Sequence, residues 1–283
     1  MSHARPAVSV CVPAYQAAAH LATAIGSVLD QNFADFELVV LDNASTDGTS
    51  DIVRSFVDPR IRLVRNENTL PMTSNWNRAV ELCRAPLVKL LCADDVLRPD
   101  CLRIQHQVMA AEPRLAMTVC RRDFLDSAGR RLATGRGLSG LLGEQDLVSV
   151  ARRVIRHGGN PLGEPGSVLF RRDAFTATGG FAEHMNLVLD IHLWLRLLAH
   201  GPMFGTGDSL AAFRVSGTSL SSRTHRAGQA QQYVCNAEVV ANPIYQVREL
   251  DRMIGAAAAP LAQLRRRGLF GVAALTRGGP GAT

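Results

Sequence analysis

The chain is predicted to be an α/β protein: a mostly parallel, twisted sheet flanked by helices, with a helical extension at its C-terminal end. Two observations carry this prediction. Apolar, β-branched runs alternate with segments of helical spacing over residues 7–120, which is the pattern of a parallel sheet built from right-handed crossovers. Two of those runs end in acidic clusters, one containing Asp42 and Asp47 and the other Asp94 and Asp95. A parallel sheet delivers such residues to the carboxyl ends of its strands, where ligands bind.

The elements follow in order. Residues 7–13 form a continuous β-branched run, as in a strand buried on both faces. Leu21, Ile25, Val28 and Leu29 give helical spacing over 17–30. A second strand is expected over 36–41, a helix over 49–56 and a third strand over 61–64. Residues 75–83 read as helix, 87–92 as a fourth strand, 99–111 as a helix opened by Pro99, and 115–120 as a fifth strand. Past Arg121 the rhythm changes. A hairpin is expected around Ser127-Ala128-Gly129, a glycine-rich loop over 136–143 and a helix over 143–157. A strand at 167–170, a short helix at 173–178 ended by Gly179-Gly180 and a helix at 190–200 come next. Short strands at 203–204 and 210–215 and one long helix over 223–251 complete the reading. Residues 1–220 are taken as one domain with halves at about 7–120 and 121–220, and 221–283 as a helical extension with a basic tail.

Composition sets bounds. With 283 residues, 47% hydrophobic and 20% charged, the chain can bury a full core. It has no run of about 18 uncharged apolar residues, and its start has no apolar signal-like stretch, so neither a spanning helix nor secretion is expected. The six cysteines are scattered without a CxxC pair and read as free thiols in a reducing, cytoplasmic setting. The net charge of +6 fits a nucleic-acid binder, a protein at an anionic membrane or an enzyme of phosphorylated substrates. Arg265-Arg266-Arg267 and Arg277 lie near Leu264, Leu269 and Phe270, which is either a solvated helix end or a basic amphipathic segment for peripheral membrane contact. These arginines are not interleaved with an aromatic platform, which argues against nucleic acid.

The chemistry lies at the strand ends. The turn after the first strand, Pro13-Ala14-Tyr15-Gln16-Ala17, has no glycine, and no GxGxxG or P-loop pattern occurs in the chain, so phosphate is held some other way. Asp42 can accept hydrogen bonds from a nucleobase or ribose, or serve as a turn aspartate. Asp47, before Gly48-Thr49, reads as a helix N-terminal residue. The Asp94-Asp95 pair is either a solvated acidic turn or a site for a divalent cation, Mn2+ or Mg2+, shared with a diphosphate. Asp190 opens an apolar helix and reads from its position as the N-cap. His184, His192, His200 and His225 are weaker candidates for metal or diphosphate contact, since their spacing is not that of a metal pair on one helix turn.

Three segments together resemble a known family: Val8-Ser9-Val10-Cys11-Val12-Pro13-Ala14-Tyr15, then the stretch from Phe36 to Thr49 through Asp42, then Lys89-Leu90-Leu91-Cys92-Ala93-Asp94-Asp95. The likeness is to family 2 glycosyltransferases of the GT-A type, whose sheet is Rossmann-like, and it runs from about residue 7 to about 215. It implies an inverting transfer of sugar from a nucleotide-diphosphate sugar to a glycan or lipid-linked acceptor, in cell-surface glycan assembly. Pro13, Ala14 and Tyr15 would line the nucleoside pocket, Asp42 would hold base or ribose, and Asn77 would stand beside the donor. Asp95 would ligate the metal, with Asp94 nearer the ribose. Asp190 would be the general base, although Leu189 stands where relatives carry glutamate. Glu164 would border the acceptor, and Arg214 and His225 occupy positions of diphosphate contacts. The rival readings are a nucleotide-sugar binding scaffold and a sugar-phosphate nucleotidyltransferase, the latter opposed by the glycine-free first turn. The absence of a Gln-x-x-Arg-Trp motif argues against processive synthesis.

Overall fold

The computed structural model describes residues 5–215, 225–260 and 264. Its centre is a ten-stranded sheet. Strands β1 (Val8–Ala14), β2 (Phe36–Asp42), β3 (Ile61–Arg65) and β4 (Leu87–Leu90) form the parallel half, in the order β3-β2-β1-β4. Helices α1 (Leu21–Leu29), α2 (Thr49–Arg54) and α3 (Met72–Glu81) make the crossovers. The chain steps from β1 outward to β3 and then returns to the other side of β1, which makes the gap between β1 and β4 the switch point of the sheet.

Both faces are covered. Because side chains alternate along a strand, Val8, Val10 and Val12 belong to the core on the side of α1, α2 and α4 (Cys101–Ala111), while Cys11 belongs to the core containing α3 residues Ala79 and Val80. This two-sided burial explains why β1 and β2 read as unbroken apolar runs.

Beyond β4 the sheet is mixed. β9 (Val168–Arg171) runs antiparallel between β4 and β6 (Met117–Leu125), and β10 (Met203–Arg214) runs parallel to β6. β5 (Val96–Leu97) pairs antiparallel with the end of β10, β7 (Arg131–Arg136) with β6, and β8 (Gly143–Gln145) with β10. The helices of this half are α5 (Leu147–His157), α6 (Arg172–Ala177), α7 (Leu189–Leu197) and α8 (His225–Ala241).

Several boundaries differ from expectation for local reasons. The two short strands expected at 203–204 and 210–215 are one strand, β10, whose register shifts between Thr206 and Ala211; the bulge interrupts the apolar pattern without ending the pairing. The helix expected from residue 143 starts at Leu147, because Asp146 caps it by accepting the Ser149 N–H (2.7 Å) and the preceding residues pair with β10. The long helix expected over 223–251 stops at Ala241. Pro243 lacks an amide donor, and Asn242 accepts the Ile244 N–H (3.1 Å) to form a 3-10 turn over Pro243–Tyr245 before helix resumes over 249–260. Cys235, Val239 and Tyr245 are buried in the same core as α5 and α7, so the helical extension packs on the sheet domain. The expected boundary at 220 and the arginines of the basic tail lie outside the described residues. Among the described residues no helix is long and apolar enough to cross a membrane, and all six cysteines are free thiols, five of them buried.

Gly205 on β10 faces the backbone of the loop that leads into β8: a Cβ there would fall well inside contact distance of the Leu141 carbonyl oxygen. Backbone cannot give way as a flexible side chain can, so Gly205→Ala is expected to destabilise the fold by about 1–3 kcal/mol, read as a lower urea midpoint with an unchanged slope.

Candidate active site

The loops after β1, β2 and β4 converge on the switch point. Gln16 N–H donates to Ser45 Oγ (3.0 Å), Ala17 N–H to Thr49 Oγ1 (2.9 Å) and Ala18 N–H to Asp47 Oδ2 (2.9 Å), so the first and second loops are laced together. Asp47 thus ties the loops and, as expected of a helix N-terminal residue, its Oδ1 accepts the Thr49 N–H (3.2 Å) at the start of α2, next to Gly48 in a left-handed conformation. Pro13 and Ala14 are buried at the end of β1, and Tyr15 projects beyond them, about half exposed.

Asp42 is fully buried at the end of β2. One oxygen accepts the Ser45 N–H (2.9 Å); the other is shared by the Ser50 hydroxyl and the Arg65 guanidinium. Burial raises its pKa, but the hydrogen bonds from Ser45 and Ser50 and the charge of Arg65 outweigh it and hold the carboxyl below its usual range. Arg65 continues into a cleft of about 350 Å³ lined by Asn66, Glu67, Asn68, Leu70 and Arg78.

Beyond β4, Cys92, Asp94 and Asp95 bring one ligand atom each to within 4.8 Å of one another. Asp95 is buried, and its Oδ1 accepts the Arg214 N–H (2.9 Å); Asp94 is half-buried. Burial raises both carboxyls, and the charge of Asp94 raises Asp95 further. Two more acids complete the chamber. The Cys92 thiol is pushed well up by burial and then by the charges of Asp95, Asp94, Asp190 and Glu164, so all four carboxylates lie within electrostatic reach of one sulfur.

Asp190 and Glu164 come from the second half. Asp190 is the second residue of α7 and not its cap, which is Val188. Its Oδ2 accepts from Asn160 Nδ2 (2.9 Å) and its Oδ1 from the Ile191 N–H (2.8 Å). Burial raises its pKa to about 6, helped by the charge of Glu164 and opposed by those two hydrogen bonds. Asn160 also accepts the Leu162 and Gly163 N–H groups, which fixes the loop that presents it. Glu164 pairs with the buried Arg122, and the following turn, Pro165–Ser167, is held from beneath by Lys89, whose Nζ donates to the Gly166 (2.8 Å) and Val168 (3.1 Å) carbonyls. Asp95, Arg122, Glu164 and Ser167 line a narrow crevice at this junction.

Two further expected site residues have internal partners, and a third has no described side chain. The Asn77 amide donates to the Phe181 carbonyl (3.0 Å) and accepts the Phe181 N–H (2.8 Å), so it joins α3 to the loop before α7 and keeps one N–H and one lone pair beyond those bonds. Arg214 is buried, with Nε on the Asp94 carbonyl (2.9 Å) and Nη1 on the carbonyls of Asp126 and Ser127; it braces the acidic loop. His225 opens α8, and its side chain lies outside the description. Asn160, Lys89 and Arg122 were not singled out from the sequence. Asn160-Pro161 reads only as a turn signal, and a lysine in an apolar run has no mark that shows what it will meet.

The arrangement is an acidic chamber at the switch point of an α/β sheet, with a separate cleft at Arg65 beyond the ends of β2 and β3. Its likeness to known proteins is specific. Residues 9–179 match the model of glycosyl transferase family 2, so the chain belongs to that family and is a glycosyltransferase. It is 27% identical over 238 residues to the Bacillus subtilis protein assigned as teichuronic acid biosynthesis glycosyltransferase TuaG, a match covering 83% of this chain and 89% of TuaG. Two solved structures share the fold. The mannosyltransferase PcManGT from Pyrobaculum calidifontis, in complex with GDP-Man and Mn2+, aligns with a TM-score of 0.65 at 19% identity, over 98% of this chain and 77% of that one. Residues 1–349 of S. aureus TarS, in complex with UDP-GlcNAc, align with a TM-score of 0.64 at 17% identity, over 85% and 73%.

The Asp190 carboxyl titrates where activity is readily measured. If its ionised form is required, kcat/KM rises with pH through about 6. Asn160→Ala removes a hydrogen bond that favours the charged form, so the acidic limb is expected to move to higher pH. An unmoved limb in that variant would separate Asp190 from the titration.

Proposed function

We propose that this glycosyltransferase transfers a sugar, with inversion, from a nucleoside-diphosphate sugar to an acceptor hydroxyl in cell-surface glycan assembly. The observation that carries the proposal is the placement of Asp190, a half-buried carboxylate with its pKa raised to about 6, within electrostatic reach of the same thiol as the Asp94-Asp95 pair. The donor complexes of PcManGT and TarS support the donor class and differ in base and sugar, so neither fixes the donor here. The assignment of TuaG to teichuronic acid biosynthesis supports the setting.

The nucleoside lies along Pro13, Ala14 and Tyr15 and in the cleft beside Asp42. Asp42 keeps lone pairs for a base or ribose group after its internal bonds are made, and Tyr15 is exposed enough to stack on a base. The Asp94 and Asp95 carboxylates fit a divalent cation, Mn2+ or Mg2+, because their oxygens already converge and the two carboxylates repel one another without a positive charge between them, while the protonated Cys92 thiol beside them is no ligand for so hard a cation. Asp95 offers one oxygen while Arg214 fixes the other, and Asp94 is the more open of the pair. Such a cation, when bound, supplies charge neutralisation for the departing diphosphate.

Asp190 accepts the proton of the acceptor hydroxyl. The acceptor oxygen forms its bond to the anomeric carbon as the bond from that carbon to the diphosphate oxygen breaks, and the electron pair leaves with the nucleoside diphosphate. A pKa near 6 leaves the carboxylate ionised at neutral pH yet more basic than an ordinary aspartate, as a general base requires. Asn160 holds it in place, and Glu164, pinned by Arg122, borders the acceptor side. The acceptor is a glycan or lipid-linked glycan, met at the cytoplasmic membrane face, where the basic C-terminal residues would touch anionic lipid.

Asp190→Asn preserves shape and removes the base. It is expected to lower kcat by about a thousandfold while nucleotide affinity stays within about twofold, and the wild-type product, analysed by NMR, should carry the opposite anomeric configuration to the donor. Near-normal turnover in Asp190→Asn, or a retained configuration, would contradict the proposal.

A further inference from the structure

A second cluster of ligating side chains lies outside the chamber. His184 in the 3-10 turn Glu183–Met185, His192 on α7 and Glu238 on α8 meet across three separate segments. Nε2 of His184 is 3.2 Å from Glu238 Oε1, and Nε2 of His192 is 3.2 Å from Oε2. The two rings stand edge to face with centroids 5.6 Å apart, and one ligand atom from each of the three residues lies within 4.8 Å of the others. We propose that His184, His192 and Glu238 bind one Zn2+ ion, which clasps α8 onto the segment leading into Asp190.

The chemistry fits the ion. Two imidazoles and a carboxylate make a borderline nitrogen and oxygen set that suits Zn2+, with a fourth position left for water. Zinc bonds of about 2.0–2.1 Å arranged as a tetrahedron separate neighbouring ligand atoms by about 3.3 Å, close to the two gaps of 3.2 Å. Small shifts of the rings therefore suffice, with no rearrangement of backbone.

The surroundings of the ring also suit ligation, since His192 is buried and its Nε2 is the nitrogen turned to Glu238. Arg196 Nη1 stands 3.5 Å from His192 Nδ1. Ligation through Nε2 puts the ring proton on Nδ1, so this long contact is exchanged for the metal bond. Arg196 stays anchored by the Thr178 and Gly180 carbonyls. His184 and Glu238 are exposed enough for an ion and its water to enter.

The consequence reaches the chamber. On α8, Gln231 accepts the Leu187 N–H (2.7 Å) and donates to Asn186 Oδ1 (2.6 Å). A cation at Glu238 adds a second attachment on the same helix, so residues 184–192, which include Asp190, are held at both ends. The eight-residue separation of the histidines, and a glutamate 46 positions further on, match no linear metal motif; only the fold brings them together.

The test is Zn2+ binding by calorimetry and Co2+ binding by visible absorption, in an Asp94→Asn/Asp95→Asn background that removes the other cation site. One Zn2+ per chain is expected, together with the d–d absorption of four-coordinate Co2+. Adding His184→Ala or Glu238→Gln should each weaken binding by more than about tenfold and abolish the Co2+ absorption. If the background variant does not fold, the same substitutions in wild type should lower the Zn2+ stoichiometry from two to one. Absence of binding, or binding untouched by both substitutions, would overturn the proposal.

Discussion

The constraint on which this molecule depends is the gathering of four carboxylates, those of Asp94, Asp95, Glu164 and Asp190, near enough to the Cys92 thiol for their charges to raise its pKa. Like charges in a partly desolvated site repel one another, so such a group persists only if the fold holds it. The fold does so from the rear. Arg214 gives its amide to Asp95 and its guanidinium to the carbonyls of Asp94, Asp126 and Ser127, and Arg122 pairs with Glu164. These arginines are braces beneath the chamber, which leaves its open side negative and suited to a cation with an anionic ligand.

Topology puts the acids in one place. The switch between β1 and β4 brings the glycine-free first turn and the Asp94-Asp95 loop to a common crevice. Antiparallel β9, inserted beside β4, carries the Glu164 loop to the same edge. Lys89 makes that insertion exact in register: a charged group in the middle of a buried strand, satisfied by two carbonyls of the neighbouring turn, can sit in only one alignment. The Asn77 amide fixes the loop before α7 in the same way. The site is thus positioned by buried polar contacts between the two halves of the sheet.

The first half of the fold was legible because its periodicity is strong. Runs such as Val8-Ser9-Val10-Cys11-Val12 are buried on both faces and read as strands without help from context. The second half was less so: β5 has two residues, β10 is bulged, and α5 begins only where Asp146 caps it. Asp42, Asp94, Asp95 and Asp190 could be singled out because each ends a strand or opens a helix. The partners could not, since Asn160 and Asp190 are thirty residues apart in sequence and only packing joins them. The bonds of Arg214 and Asn77 were equally hidden, because chain position locates a side chain whereas packing decides its partners.

The central claim is that the negative chamber is a cation-dependent site for a nucleoside diphosphate. Calorimetric titration of wild type with GDP and with UDP, with and without Mn2+, tests it most directly. Binding of one nucleotide that requires Mn2+ and is lost in Asp95→Ala is the predicted result. Binding of equal strength without the cation, or unchanged binding in Asp95→Ala, would contradict the account.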